Sequence, residues 1–283
     1  MPGPALEELA FTSLPRDQAS RWRRPASLAF VGALTRVPIS DTELLQTSHY
    51  LPVAIEDRGD ELQVVAVTAS HFQRAPLLSE AGQWQRSYVP VALRCLPFRV
   101  TGDDGAAGIE MTNAFDSDPG ADFPLFQANG SLAGDVQGIA AMLRRFEHGK
   151  RRLKVAAEQL FLAGLLTQLQ VRAPANMDAN GPEFLTVDAA AYRALPNARL
   201  ALLVQTNLLA LDLIASCLFS QRLMPQMVSV RSAPERDVRS EAGEANEAGA
   251  TTHSIIPTRS ALHVDSSELF SFEMFDAASR HGH

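Results

Sequence analysis

Apolar and polar residues follow two different periods along this chain, and the change of period divides it into two halves. In the first half, residues 50–56 and 61–68 form two short runs rich in residues that favour β-strands. Asp57-Arg58-Gly59-Asp60 separates the runs, and its glycine can supply the positive φ of a hairpin turn. We therefore predict one antiparallel hairpin here and a second between residues 98 and 112, around Asp103-Asp104-Gly105.

The period lengthens after about Leu132, where apolar side chains recur every three or four residues and predict one long helix ending near Gly164. Residues 165–172 and 183–187 then predict a strand pair. Asp188 is predicted to cap a short helix, and residues 196–221 are predicted to form a further, deeply buried helix. The stripe on the first long helix consists of Val136, Ile139, Leu143, Phe146, Lys150, Leu153, Ala157 and Leu160.

Together these patterns predict an α+β fold: an antiparallel β-rich N-terminal portion packed with a C-terminal pair of long helices and an intervening hairpin. Near the start, Ser27 to Val37 is predicted as a first strand. Ser40 and Glu43 then have the spacing of a capping box, which predicts a short helix to about Thr47.

Three regions follow from composition. Residues 1–25 mix prolines, charges and small residues and predict a flexible arm, for which Trp22 is a candidate tether. Residues 26–225 predict the globular domain. Residues 226–283 predict a largely disordered tail, because its first part has almost no large apolar residue. The tail ends in a hydrophobic tip, which we interpret as a segment that docks on a partner: Leu262, Val264, Leu269, Phe270, Phe272, Met274 and Phe275.

Charge and cysteine content narrow the function. The formal net charge of −7 over 283 residues argues against nucleic-acid binding. Cys95 and Cys217 are the only cysteines, so a disulfide framework is excluded and a reducing compartment is expected. Met1 to Arg24 has no continuous apolar run typical of a secretory signal. Asp212 interrupts the apolar run Leu200 to Phe219, which favours a core helix over a membrane span. We therefore expect a cytoplasmic protein, with oligomeric state left open.

No familiar catalytic motif is present: there is no GxSxG, no P-loop and no GxGxxG in the required context. The seven histidines form neither HxH on a predicted strand nor HExxH on a predicted helix, and the terminal His281-Gly282-His283 pair is interpreted as incidental. We accordingly assign no catalytic residue, no metal ligand and no cofactor. The loop carboxylates lack EF-hand spacing and are interpreted as turn formers, with calcium binding as the alternative: Asp103, Asp104, Asp116, Asp118 and Asp122. Asn207 and Asp212 are polar residues in an apolar helix and are predicted to find internal partners or to line a pocket.

The stretch from Trp84 to Phe98 concentrates the candidate chemistry. Pro90 pre-sets φ for a helical turn over residues 91–96. Trp84, Tyr88 and Arg94 are the candidate binding residues, because aromatic rings beside a guanidinium can hold a peptide or a carboxylate. The alternative is that the same side chains pack a loop against a sheet.

A basic cluster on the long helix is a second candidate surface. It either attracts an acidic partner or forms a solvated helix face. Its members are Arg144, Arg145, Lys150, Arg151, Arg152 and Lys154.

Several short motifs carry a family resemblance. Tyr88-Val89-Pro90, Leu93-Arg94 and Pro97-Phe98 resemble the SapC family of bacterial proteins, which is distinct from the similarly named membrane permease of a peptide transporter. Further matching marks lie in order between Ala26 and Leu223: Leu34, Val37-Pro38-Ile39, Tyr50, Pro52-Val53, Leu78-Ser79, Trp84 and Pro124-Leu125-Phe126.

The resemblance implies an accessory role in cell-surface protein or nutrient-uptake systems. The resulting hypothesis is a non-enzymatic protein that binds a protein or peptide partner. The alternative is an enzyme acting on a peptide or small metabolite, with a pocket near Tyr88 and Arg94.

Overall fold

A computed structural model describes residues 6, 9–15, 17, 19–59, 61–101, 108–115, 122–170, 184–206 and 208–225. Contacts group the chain into two units, Met1–Ser232 and Ala233–His283, and every element below lies in the first unit. The predicted tail with its hydrophobic tip, the second hairpin turn and Asp103, Asp104, Asp116, Asp118 and Asn207 lie outside the described residues.

The main sheet has five antiparallel strands. In the order of the sheet they are β3 (Arg36–Pro38), β5 (Leu62–Val67), β4 (Val53–Asp57), β10 (Phe184–Val187) and β9 (Leu166–Gln168). The predicted hairpin at Gly59 is confirmed, with the glycine at φ +88°. The predicted C-terminal strand pair is also confirmed, and its strand β10 joins the N-terminal hairpin by pairing with β4.

Two smaller antiparallel sheets attach the first residues to the body. One has the order β1 (Thr12–Ser13), β7 (Gly108–Met111), β6 (Phe98–Thr101), and the other pairs β2 (Arg21–Trp22) with β8 (Phe123–Pro124). Trp22 is 2% exposed, and its ring lies 4.9 Å from that of Phe98 and 5.1 Å from that of Phe123. The tether expected at Trp22 is therefore present, while the flexibility of the arm and the domain limits stay predictions.

The helices complete the predicted α+β fold, which the structure confirms. Gly164, at φ +68°, follows the longest helix as expected, and the Asp188 side chain accepts from the amides of Ala190 and Ala191 at 2.7 and 3.1 Å. The helices are α1 (Leu44–Tyr50), α2 (Val91–Arg94), α3 (Gly134–Leu162), α4 (Ala189–Arg193), α5 (Asn197–Thr206) and α6 (Leu209–Ser220).

Helix α3 contributes to two hydrophobic clusters. Its first half, including Leu143 and Phe146, packs beneath α2 and β6. Its second half, including Leu153 and Leu160, packs with α6 on one face of the five-stranded sheet. One helix therefore supports both the sheet and the segment that carries the Trp84 to Phe98 stretch.

Two local predictions are wrong. Residues 29–33, predicted as strand, form a 3₁₀ helix before β3, because a short apolar run around buried Val31 suits either structure. The single helix predicted from residue 196 to 221 is instead α5 and α6. Thr206, the last residue of α5, and Asn207, the next residue in the sequence, both have low helix propensity. Helix α6 is also not buried all round, since Asp212 and Phe219 are exposed.

Among the described helices, no single one is long and apolar enough to cross a membrane. Residues Asn197–Gln205 and Leu209–Leu223 meet the length and hydropathy criteria only when taken together, and they are bent by 112°.

Candidate functional site

The turn before α1 places a buried carboxylate at the centre of the candidate site. The predicted capping box is confirmed: the Ser40 amide donates to Glu43 Oε1 at 3.2 Å, and the chain turns through a 3₁₀ helix at Asp41–Glu43. The Glu43 side chain is then directed inward, and the residue is 3% exposed.

The second oxygen of Glu43 connects this turn to the proline-bounded stretch. Oε2 accepts a hydrogen bond from the Tyr88 hydroxyl at 2.6 Å and another from the Val91 amide at 2.8 Å. Val91 is the first residue of α2, so its amide has no acceptor within the helix. Glu43 therefore caps two helical segments, one from its own turn and one 48 residues further along the chain.

The three predicted binding residues meet around Tyr88. The Trp84 indole N–H donates to the Tyr88 carbonyl at 2.8 Å. The Arg94 guanidinium lies over the Tyr88 ring, 5.5 Å from its centroid. Tyr88 is 7% exposed, Trp84 is half-buried and Arg94 is exposed. The geometry brings the three together, whereas their role in binding stays a prediction.

Electrostatics sets the chemistry of this cluster. Burial raises the pKa of the Glu43 carboxyl, and the bonds from Tyr88, Val91 and Ser40 and the charge of Arg94 only partly oppose this. The pKa of the Tyr88 hydroxyl is also raised, first by burial and then by the Glu43 carboxylate. Tyr88 consequently acts as a hydrogen-bond donor, and the polar atoms of the cluster are used to join parts of the fold.

A row of rings runs from this cluster across α1 to α6. Tyr50 stacks on Tyr88 with ring centroids 6.4 Å apart, and the His49 ring lies 6.4 Å from that of Tyr50. The His49 ring also lies 4.7 Å from that of Phe219, over which the Arg222 guanidinium sits at 4.0 Å. We call this row the aromatic belt: Arg94, Tyr88, Tyr50, His49, Phe219 and Arg222.

The aromatic belt is open to solvent at its two ends. Arg94 is exposed at one end, while His49, Phe219 and Arg222 are exposed at the other. Leu45, one helical turn before His49, is 55% exposed. The far end is thus an apolar and aromatic surface next to a cation.

The basic cluster on α3 is partly neutralised by specific partners. Lys150 pairs with Glu147 at 3.0 Å, and Lys154 pairs with Glu61 at 3.2 Å. Arg152 pairs with Asp41, in the turn that leads to Glu43. Arg144 and Arg145 are exposed, as a solvated helix face would have them.

The remaining candidates give no site. In the described part of the chain, no group of three or more His, Cys, Asp or Glu side chains is arranged to hold a metal ion. Burial raises the pKa of the Cys95 thiol to about 11 and that of Cys217 to about 12. Asp122 pairs with Arg23, and Asp212, predicted to have internal partners, is exposed on α6.

Sequence reasoning missed the role of Glu43 and most of the aromatic belt. Glu43 was identifiable only as a helix cap, because nothing local indicates that its second oxygen serves a segment more than forty residues away. Tyr50 stood among the family marks, which was its one signal. His49 and Phe219 gave none, since their contact depends on the packing of α1 against α6.

Comparison with known proteins identifies a family. A family model described as SapC matches residues 17–227, which is most of the chain. No curated protein and no solved structure matches.

Proposed function

The chain belongs to the SapC family, and from this premise we propose that it is a non-enzymatic accessory protein that binds a protein or peptide partner. We further propose that it acts in the cytoplasm, in support of cell-surface protein or uptake systems, as the family resemblance implies.

The observation that carries the proposal is the aromatic belt. Tyrosine, other aromatic residues and arginine are enriched where proteins bind one another, and charged residues other than arginine are depleted there. The far end of the belt combines exposed Phe219 and His49 with the aliphatic Leu45. The Arg222 guanidinium, held over the Phe219 ring, needs little further ordering to meet a partner.

The guanidiniums also indicate the partner's chemistry. Arg94 and Arg222 stand at opposite ends of the belt, and each lies over a ring. Guanidinium groups bind carboxylates through paired hydrogen bonds, and aromatic surfaces take apolar side chains. A segment that carries both acidic and apolar residues fits this surface.

Affinity purification of the intact chain from cells, with quantitative mass spectrometry, tests the proposal. We expect proteins that are enriched with the wild type to be lost with Phe219→Ser. Phe161→Ser is the matched control, because Phe161 is also an exposed phenylalanine, at 54% compared with 41% for Phe219, and lies outside the belt. Equal recovery with both variants would refute the belt as the binding surface.

The second candidate function, an enzyme acting on a peptide or small metabolite, is favoured by one observation. The pKa of Glu43 is raised by burial beside Tyr88, and shifted carboxyl groups are common in active sites. Against it, Glu43 already accepts three hydrogen bonds, and Tyr88 is almost inaccessible.

Incubating the protein with a peptide and metabolite extract separates the two functions. An enzymatic function would be supported if the wild type consumed a compound in the extract and Arg94→Gln did not. The accessory role predicts the same extract composition with and without protein.

A further inference from the structure

One line of exposed residues runs along the outer face of α3. Residues seven apart in an α-helix lie within about 20° of one another around its axis. Four positions with this spacing are exposed: Ala141, His148, Val155 and Leu162. Two exposed arginine pairs flank the line in successive heptads: Arg144 with Arg145, and Arg151 with Arg152. We call these eight residues the α3 stripe; none of them belongs to the aromatic belt.

The first two heptads of the α3 stripe are cationic. Arg144 and Arg145 are exposed and, in the part of the chain that the structure describes, form no ion pair. Arg152 pairs with Asp41, yet its side chain is still 57% exposed. The stripe contains no acidic residue, and Glu158, at the flanking position of the next heptad, is half-buried. This face therefore presents positive charge that its neighbours do not fully compensate.

The same line is apolar toward the end of the helix. Val155 is 48% exposed, and Leu162, at 84%, has the largest exposed fraction among the described large hydrophobic side chains. The opposite side of α3 packs on both hydrophobic clusters, so the stripe stands on a convex surface. A convex surface offers a peptide no groove, and exposed aliphatic side chains gain nothing from the phosphates of a nucleic acid.

We propose that the α3 stripe binds the surface of an anionic lipid bilayer. The arginines on both flanks of the line contact the phosphate groups of the lipids. Val155 and Leu162 enter the boundary between head groups and acyl chains, where their exposed surface leaves water. A bilayer supplies both the extended layer of negative charge and the apolar interior that this surface requires.

The acidic character of the whole chain does not prevent this contact. The formal net charge is −7, but interactions between exposed charges more than about 8 Å apart are largely screened at physiological ionic strength. The charge of the face that meets the bilayer therefore decides binding. Each arginine near an anionic surface strengthens binding by about fivefold.

Co-sedimentation of the full chain with lipid vesicles tests the proposal. We expect binding to vesicles of phosphatidylglycerol and phosphatidylcholine in equal parts, none to phosphatidylcholine alone, and weaker binding as salt is raised. The double variant Arg144→Gln/Arg145→Gln should bind about 25-fold more weakly. Arg193→Gln/Arg199→Gln is the matched control, because it removes the same charge from exposed positions on α4 and α5.

A second variant tests the apolar contact. Leu162→Ser changes a side chain that is mostly in solvent, so the fold should persist, and binding to the anionic vesicles should weaken about tenfold. Circular dichroism of each variant verifies its fold. The proposal fails if the anionic vesicles do not sediment the protein, if neutral vesicles do so equally, or if the control pair weakens binding as much as the stripe pair. Full affinity of Leu162→Ser would also overturn it, in favour of an acidic protein or a nucleic acid as the partner of the arginines.

Discussion

Two buried glutamates are held in this fold by opposite means. Glu56, 4% exposed, lies 2.6 Å from Arg36 Nε and 3.0 Å from Arg58 Nε, so two cations compensate its charge. Glu43, 3% exposed, accepts from three uncharged donors: the Ser40 and Val91 amides and the Tyr88 hydroxyl. One residue is stabilised mainly by charge and the other mainly by directed hydrogen bonds.

The difference separates two structural tasks. Glu56 connects residues within the sheet, where β3 and β4 both pair with β5, and its loss would leave arginine charge buried. Glu43 connects segments that are remote in sequence. Its uncharged donors orient the carboxylate but do not fully offset the free energy needed to remove it from water. That cost is the reason the pKa of Glu43 is raised.

Glu56→Ala tests the charged side of the comparison and has the largest expected effect. We expect a loss of about 3 to 5 kcal/mol in the free energy of unfolding, because the Arg36 side chain, only 10% exposed, would lose its counterion. Urea denaturation measures the free energy of unfolding of the wild type and the variant. Glu61→Ala, which removes a half-exposed partner of Lys154, should cost less than about 1 kcal/mol. Similar costs for the two variants would contradict the interpretation.

Glu43→Ala tests the uncharged side. Three buried donors lose their acceptor, so we expect a loss of about 3 kcal/mol. Glu43→Gln keeps the shape but turns an amide group toward a donor and should cost about 1 kcal/mol. Gln46→Ala, at an exposed position of α1, is the control for helix propensity. If Glu43→Ala and Gln46→Ala had the same free energy of unfolding, the three hydrogen bonds would make no net contribution to stability.

Gly149→Ala tests how the Glu43 turn is seated on α3. A Cβ at Gly149 would lie 2.1 Å from Asp41 Oδ1 and 3.0 Å from Ser40 Cβ, so the turn must shift. Alanine gains up to about 1 kcal/mol in helix propensity, and overpacking costs about 1 to 3 kcal/mol. We expect a net loss of about 1 kcal/mol.

Gly138→Ala, at a helical position where the added Cβ meets nothing within 4 Å, should instead be stabilising. Thermal unfolding of the two variants provides the measurement. A stabilising Gly149→Ala would mean that the turn moves at no cost.

The pH dependence of stability has the smallest expected effect. The folded pKa of Glu43 lies above its ordinary value of 4.5, so its favourable contribution is complete below 4.5 and is lost as pH rises through the folded pKa. The wild type should therefore lose stability relative to Glu43→Gln as pH rises. Urea midpoints of both proteins from about pH 4 to about pH 8 measure this. A difference that stays constant, or moves the other way, would contradict the assigned cause.

Local signals in the sequence predicted most of the fold. Gly59, Gly164 and Asp188 each mark a turn or helix end whose cause lies within a few residues, and all three predictions are confirmed. The break between α5 and α6 was missed because apolar content outweighed weak helix propensity. The pairing of β10 with β4 was missed because register between distant strands is set by the whole sheet.

The candidate site was predicted only in part. Trp84, Tyr88 and Arg94 lie within ten residues, and proline-bounded turns bring such neighbours together. Glu43, His49 and Phe219 reach the same site from two other segments. The contact of His49 with Phe219 arises from packing of α1 against α6, and the Glu43 contacts arise from packing of the turn before α1 against residues 88–91. Burial that raises the pKa of Glu43 is likewise a property of the assembled core.

The dual packing of α3 also has an evolutionary consequence. Because its two halves face separate hydrophobic clusters, the angle between those faces is fixed by the number of residues between them. One inserted or deleted residue near the middle of α3 would rotate one half by about 100° relative to the other. Substitutions along α3 can therefore accumulate one at a time, whereas changes in its length must be compensated at once.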